Sequence, residues 1–338
     1  MRKLTEKEFK LFESLCKLSQ PSLQTSMFNF LKEKYPKGKV TYNYHYVTAE
    51  GDIPIALVAH MDTVWAEPSE EILYDEKKNI MWGVGGTGFD DRTGVFLIIQ
   101  IIKAGLRPHI IFTTDEEKGC VGASVLGAKK MPFADLRYVI ELDRRGTNDC
   151  VFYDCDNRNF VDYVEGFGFV EALGSFTDIS EICENWKVAG VNLSVGYKDE
   201  HTNQERQYVS AMWDTYNKVV KMLKETDIPK FEYIPCAHSY SYLFRHLGNA
   251  SGMHEYDPYA DVCDNCGKSV HAYELMPVLD EIGHKDYICM KCYEELNIGY
   301  CEKCKEGFIR KKTDPKATKC ARCALEEVID AADKADKK

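Results

Sequence analysis

The feature that most constrains this chain is a set of short, almost continuous apolar runs that end in acids or histidines. The first is Ile53-Pro-Ile-Ala-Leu-Val-Ala59, followed at once by His60. Runs of this length and composition suit strands buried on both faces of a sheet. Pro108–Thr114, Arg137–Leu142 and Val188–Gly196 read the same way, and Val40–Val47 and Cys150–Asp154 also read as strands. Helical spacing of apolar residues marks 5–18, 21–35, Thr93–Lys103, Cys120–Lys130, Phe160–Phe169, Ile179–Trp186 and Val209–Lys224. Strands and helices alternating at these lengths predict an α/β fold. The expected form is a three-layer α/β/α sandwich with a largely parallel central sheet.

Length and charge narrow the function. A chain of 338 residues allows one large domain and a smaller one. The net charge of −11 argues against a nucleic-acid binder, because phosphates call for clustered positive charge. No apolar stretch approaches the roughly 20 residues that cross a bilayer. Met1–Lys10 is polar and lacks an apolar signal core, so the expected setting is the cytoplasm, with no membrane partner. Six of the 14 cysteines are scattered before residue 240, and the other eight form C-x-x-C pairs between Cys263 and Cys323. In a reducing compartment such pairs read as metal ligands. The boundaries expected from these shifts are a catalytic domain over 1–228, a linker or packed arm over 229–260, and a small zinc-ribbon or treble-clef module of tandem four-cysteine fingers over 261–338.

The strand ends and nearby turns carry metal-ligand residue types in a fixed order. They are His60-Met-Asp62, Asp90-Asp91-Arg-Thr-Gly94, Asp115-Glu116-Glu117-Lys-Gly119, Asp143 and His201-Thr-Asn-Gln-Glu205. In an open α/β sheet the carboxyl ends of the strands share one crevice, so these residues can converge. Carboxylates and imidazoles gathered there repel or stay unpaired unless cations join them. Mixed nitrogen and oxygen ligands suit zinc, and manganese or cobalt are also accommodated. Gly83-Val-Gly-Gly-Thr-Gly88 fits the spacing of a dinucleotide loop. That reading is rejected on two grounds. Asp90 and Asp91 stand where a pyrophosphate should bind, and the loop follows no clear strand.

This ordered set resembles the co-catalytic zinc exopeptidase superfamily of aminopeptidases, carboxypeptidases, peptidase T and aminoacylase-type deacylases, over roughly residues 5–225. The resemblance implies that Asp90 bridges two metals. His60 and Asp143 would complete one site, Glu117 and His201 the other. Glu116 would be the general base, and Asp62 would orient the His60 ring. It also implies a cis peptide between Asp90 and Asp91. The intervals from His60 to Asp90 and from Asp143 to His201 are too short for the inserted domain many relatives carry. This favours the compact aminopeptidase branch over the deacylase and TET-type branches. The expected function is an aminopeptidase acting on peptides. The alternatives are a deacylase or carboxypeptidase acting on acylated amino acids or peptides, and a zinc-finger interaction module on a weakly active scaffold. Asp178 is expected to line the pocket or cap a helix, and Tyr197 to assist the oxyanion.

In the tail, Cys263, Cys266, Cys289 and Cys292 have the spacing of one four-cysteine zinc site, and Cys301, Cys304, Cys320 and Cys323 that of a second. Each second pair leads into a helix-like run, which resembles a treble clef. The segment has too little apolar sequence to fold without metal. Sequential pairing is expected over an interleaved one, with His271 and His284 left as surface or packing residues. Arg310, Lys311, Lys312, Lys316, Lys319 and Arg322 form a basic stretch, but interspersed acids dilute it. A protein partner is therefore expected over nucleic acid.

Overall fold

The computed structural model describes residues 2–174, 176–236, 260–262, 269–271, 275–279, 285–311, 314–321 and 323–324. It divides into two units, Met1–Tyr242 and Leu243–Lys338.

The first unit is built on β3 (Ile53–His60), the strand the sequence marks most strongly. It lies between β6 (Pro108–Thr113) and β7 (Tyr138–Arg144) and runs parallel to both. β10 (Gly190–Ser194) continues the parallel run beyond β7. Antiparallel additions close both sides. β1 (Val40–Asn43) and β2 (Tyr46–Ala49) flank β6, while β8 (Asp149–Val151) flanks β10 and pairs with β9 (Val170–Glu171).

Successive β3 residues feed two cores, as the period of two requires. Ile55, Leu57 and Ala59 pack with Phe12 of α1 (Glu6–Cys16), Leu23 of α2 (Gln20–Lys34), Phe96 of α3 (Phe89–Lys103) and Trp213 of α7 (Val209–Leu223). Ala56 and Val58 pack with Leu126 of α4 (Val121–Gly127) and Ile182 of α6 (Asp178–Trp186). Helices thus cover both faces of a mostly parallel sheet, which is the expected three-layer arrangement.

Two regions differ from expectation. The single strand read at Val40–Val47 is a hairpin. Asn43 Oδ1 accepts the His45 N–H at 3.0 Å, a local turn that competes with continued extension. Between His60 and Asp90, where the sequence marks no strand, lie β4 (Glu71–Asp75) and β5 (Ile80–Val84). These join β11 (Tyr197–Lys198) and β12 (Arg206–Tyr208) in a second, four-stranded sheet. Gly83 therefore does belong to a strand, so one ground for rejecting a dinucleotide loop falls; the acids at 90 and 91 remain. The helix expected at Phe160–Phe169 is α5 (Arg158–Glu165), and the short strand β9 follows it.

Beyond residue 228 the chain stays on this unit for several residues. Phe231 is buried in the first core, with its N–H bonded to the Arg137 carbonyl and its carbonyl accepting the Ala189 N–H. Residues 237–259 lie outside the described set.

In the second unit β13 (Ala260–Val262) pairs antiparallel with β14 (Ser269–His271). A four-stranded sheet follows in the order β16-β15-β18-β17, formed by Lys285–Cys289, Leu275–Leu279, Gly307–Ile309 and Ile298–Tyr300. Helix α8 (Met290–Glu295) begins directly after Cys289. Its two small cores consist largely of cysteines, with Val278 and Ile288 beside Cys289 and Cys292, and Phe308 and Leu279 beside Cys301, Cys320 and Cys323.

Candidate active site

His60 ends β3 and is fully buried. Its Nδ1 faces Asp62 Oδ1 at 3.2 Å, while Nε2 lies 3.1 Å from Asp90 Oδ1 and 3.4 Å from Asp143 Oδ1. Asp90 stands in the distorted first turn of α3, where both Asp90 and Asp91 depart from helical geometry and the peptide between them is cis. Its second oxygen, Oδ2, lies 3.1 Å from His201 Nε2, and that nitrogen is 2.9 Å from Glu117 Oε1. Asp90 thus touches two imidazoles with two different oxygens. His60, Asp90 and Asp143 offer donor atoms within 4.8 Å of one another; so do Asp90, Glu117 and His201, and also His60, Glu116 and Glu117.

The surrounding groups hold these side chains in place. Asp62 accepts the Glu116 N–H at 3.0 Å and the Glu117 N–H at 3.1 Å, so the residue that faces the His60 ring also fixes the turn after β6. Asp143 accepts from the Tyr197 hydroxyl at 3.0 Å and the Thr177 hydroxyl at 3.2 Å. Asn192 on β10 secures its backbone, accepting the Asp143 N–H at 3.0 Å and donating to its carbonyl at 3.2 Å. Tyr197 therefore contacts an acid of the site.

Asp178 neither lines an open pocket nor caps α6. It is fully buried, takes the Thr113 hydroxyl on Oδ2, and leaves Thr177 as the N-cap.

The electrostatics ask for cations. Among the described residues, Asp91 Oδ2, Asp178 Oδ1 and both Glu141 oxygens are buried without a hydrogen-bond partner. Burial and neighbouring acids push Glu116 and Asp143 up to about 7, against the pull of His60. Burial raises Asp178 and Glu205 to about 7 as well. Asp91 and Glu141 lie well above the usual carboxylate range through burial and the charge of Asp143. Burial opposes ionisation of Asp90, yet the His201 and His60 contacts hold it below that range. His201 is raised to about 10 by Asp90 and Glu117. In each case a proton offsets negative charge that a divalent cation would offset better. Carboxylate and imidazole donors at these separations fit such an ion.

Sequence reasoning quoted Glu205 within a motif but gave it no role. Its Oε1 accepts the Asp90 N–H at 2.9 Å, and its Oε2 accepts the Thr87 hydroxyl. Glu141 was passed over, although an acid two residues before Asp143 on an apolar strand shares its face.

In the second unit, Cys301, Cys304, Cys320 and Cys323 bring their sulfurs within 4.8 Å of one another, with Cys304 Sγ 3.8 Å from Cys320 Sγ. Burial pushes the Cys301 thiol up, but the N–H groups of Cys304, Cys320 and Lys303 outweigh it and bring it down to about 6, a thiolate at neutral pH. Cys289 and Cys292 are buried at the start of α8. Cys263, Cys266, His284, Lys312 and Arg322 lie outside the described residues.

A doubly covered, largely parallel sheet whose strand ends gather acids and imidazoles around a shared aspartate defines a metallohydrolase of the exopeptidase type. Residues 56–277, about two thirds of the chain, match the model of Peptidase family M20/M25/M40, and the chain belongs to that family. It is accordingly a metal-dependent peptidase. No curated protein matches the chain.

Solved structures share the fold. The aminopeptidase PepT of Bacillus cereus is 14% identical, with a TM-score of 0.50 over 64% of this chain and 96% of that one. A tripeptidase of Staphylococcus aureus is 13% identical, with a TM-score of 0.52 over 65% and 97%. A TET aminopeptidase from a marine-sediment Thaumarchaeota archaeon is 13% identical, with a TM-score of 0.52 over 66% and 98%. At these identities the likeness is one of fold, and it does not separate the compact branch from the TET branch. No helix among the described residues is long and apolar enough to cross a membrane.

Proposed function

We propose that the chain is a two-zinc aminopeptidase whose metals share Asp90. His60 and Asp143 would hold one metal, Glu117 and His201 the other. The observation that carries this reading is the position of Asp90, each of whose oxygens lies 3.1 Å from a different imidazole. Two divalent cations bound there would supply Lewis-acid polarisation of the scissile carbonyl and acidify the attacking water.

The chain's own residues do the rest. Glu116 takes a proton from the water as its oxygen joins the carbonyl carbon, and returns that proton to the amine nitrogen as the C–N bond breaks. Burial at this position makes Glu116 a better base than a solvated carboxylate. Asp62 holds the Glu116 turn and the His60 ring together, so the base and one ligand keep a fixed separation.

The preference for an aminopeptidase rests on what is missing between the ligands. Only β4 and β5 lie between His60 and Asp90, with no inserted domain to supply a cation for a substrate carboxylate. The fold relatives that carry aminopeptidase and tripeptidase names support the same substrate class. In the tail, Cys301, Cys304, Cys320 and Cys323 are proposed to hold one structural zinc. Cys263, Cys266, Cys289 and Cys292 are proposed to hold another, in a module that contacts a protein partner.

The test is hydrolysis of a peptide panel by zinc-loaded protein, each peptide offered with a free and an acetylated N-terminus. Cleavage of the free forms alone is expected. Release of acyl groups would move the substrate class to acylated amino acids. Glu116→Gln should lower kcat by about 10²–10⁴-fold with metal content unchanged, and full turnover by that variant overturns the mechanism.

A further inference from the structure

The carboxylates of the site differ in how they are held. Asp62 takes two backbone N–H groups, Asp143 takes two hydroxyls, and Glu205 takes one of each. The Glu116 carboxyl has a single hydrogen bond among the described residues, from the Cys120 thiol to Oε1 at 3.4 Å. We propose that Cys120 is a positioning residue for Glu116: its thiol fixes Oε1 so that Oε2 faces the water. This inference rests on the reading of Glu116 as the base.

The geometry is tightly set. Cys120 is fully buried and its backbone is left-handed, with φ of 50°. Its N–H donates to the Glu116 carbonyl at 2.8 Å, so the thiol and the glutamate belong to one closed turn. The next two N–H groups, of Val121 and Gly122, bond the Asp115 and Thr114 carbonyls and lock that turn to the end of β6. The sulfur therefore has little freedom to leave Oε1. Its surroundings keep it a thiol rather than a thiolate, because burial and the charges of Asp178, Glu116 and Glu141 all raise it.

The choice of donor has a physical reason. A strong donor on a carboxylate stabilises the ionised form and weakens the base. A thiol is a weak donor. It can orient Glu116 while leaving its affinity for a proton largely intact.

The experiment uses the zinc-loaded full chain and a cleaved peptide from the panel. Cys120→Ala should lower kcat about tenfold, the scale of one lost hydrogen bond, with KM within about twofold. Cys120→Ser restores a donor, a stronger one that also weakens the base somewhat, so kcat should recover to within about threefold of the parent without reaching it. Adding Cys120→Ala to Glu116→Gln should cost nothing further, since the group being oriented is gone. Cys120→Gly, which suits the left-handed backbone, serves as a second donor-free variant if Ala lowers the Tm or metal content.

A donor-free variant with parental kcat overturns the proposal. So does a Ser variant as slow as Ala at equal Tm. The base assignment stands or falls separately, on Glu116→Gln alone.

Discussion

Glu205 accepts the backbone N–H of Asp90 at 2.9 Å across 115 positions of sequence. With the Thr87 hydroxyl on its other oxygen, it clamps the distorted turn from which Asp90 faces both imidazoles. Glu205→Ala would leave a buried N–H unpaired, at about 1–3 kcal/mol. It should also weaken metal binding about 10–100-fold, the usual scale for groups that orient ligands. Metal titration beside thermal unfolding measures both, and parental metal affinity in Glu205→Ala rules out the clamp.

Asp62→Asn is expected to behave as a disruptive change. The carboxylate faces three groups, the His60 ring and the N–H groups of Glu116 and Glu117, and an amide NH2 must confront one of them. A loss of about 10–100-fold in metal affinity or activity is expected. Equal kinetics and metal affinity in Asp62→Asn would show that the fold positions these loops without it.

Metal-free protein should lose stability as pH rises. Asp143, Asp178 and Glu205 have folded values near 7, above their ordinary range near 4. Between those values the folded state holds more protons than the unfolded state, so stability falls with rising pH and the loss is complete above about 7. His201, raised to about 10, adds a loss of the same sign from about 6.5 upward. Asp90 and Asp62 are lowered and work in the opposite direction at low pH. Thermal unfolding at pH 6 and 8, with and without zinc, gives the comparison. The metal-free Tm should drop at pH 8 and zinc should remove the drop; a metal-free Tm that rises from pH 6 to 8 contradicts the assignment.

The rate profile should carry an acid limb. Glu116 must be unprotonated to accept a proton, so kcat/KM should fall as pH drops through about 7, or lower where bound cations favour its charged form. A profile flat from pH 5 to 8 would remove Glu116 from the proton transfer.

Cys320→Ser should cost one structural ion and leave the catalytic unit active. Cys320 is fully buried among Leu279, Phe308 and three other cysteines, a core too small to hold without metal. Zinc stoichiometry and limited proteolysis of the tail give the answer; unchanged stoichiometry would mean that these sulfurs bind no ion.

Much of the scaffold was legible because it is written locally. The run from Ile53 to Ala59 is apolar on both faces, which only a doubly covered strand tolerates, and His60 falls at its end. The second sheet was not legible. β4 and β5 are short, and Trp82 and Val84 are exposed, so the strands take their identity from pairing with β12, far along the chain. Asp178 read equally well as a cap or a pocket residue because both sit at helix starts, and only the position of Thr113 decides between these readings and burial.

The sequence by itself determined the α/β layering, the acids and histidines at the strand ends, and the cysteine pairs. All of these depend on the order and spacing of nearby residues. The tertiary structure alone decided which Asp90 oxygen meets which imidazole, that Glu205 clamps Asp90, and that a single thiol holds Glu116. Those contacts depend on where separate strands and turns meet in space, and residue spacing along the chain does not encode the direction of a side chain across that gap.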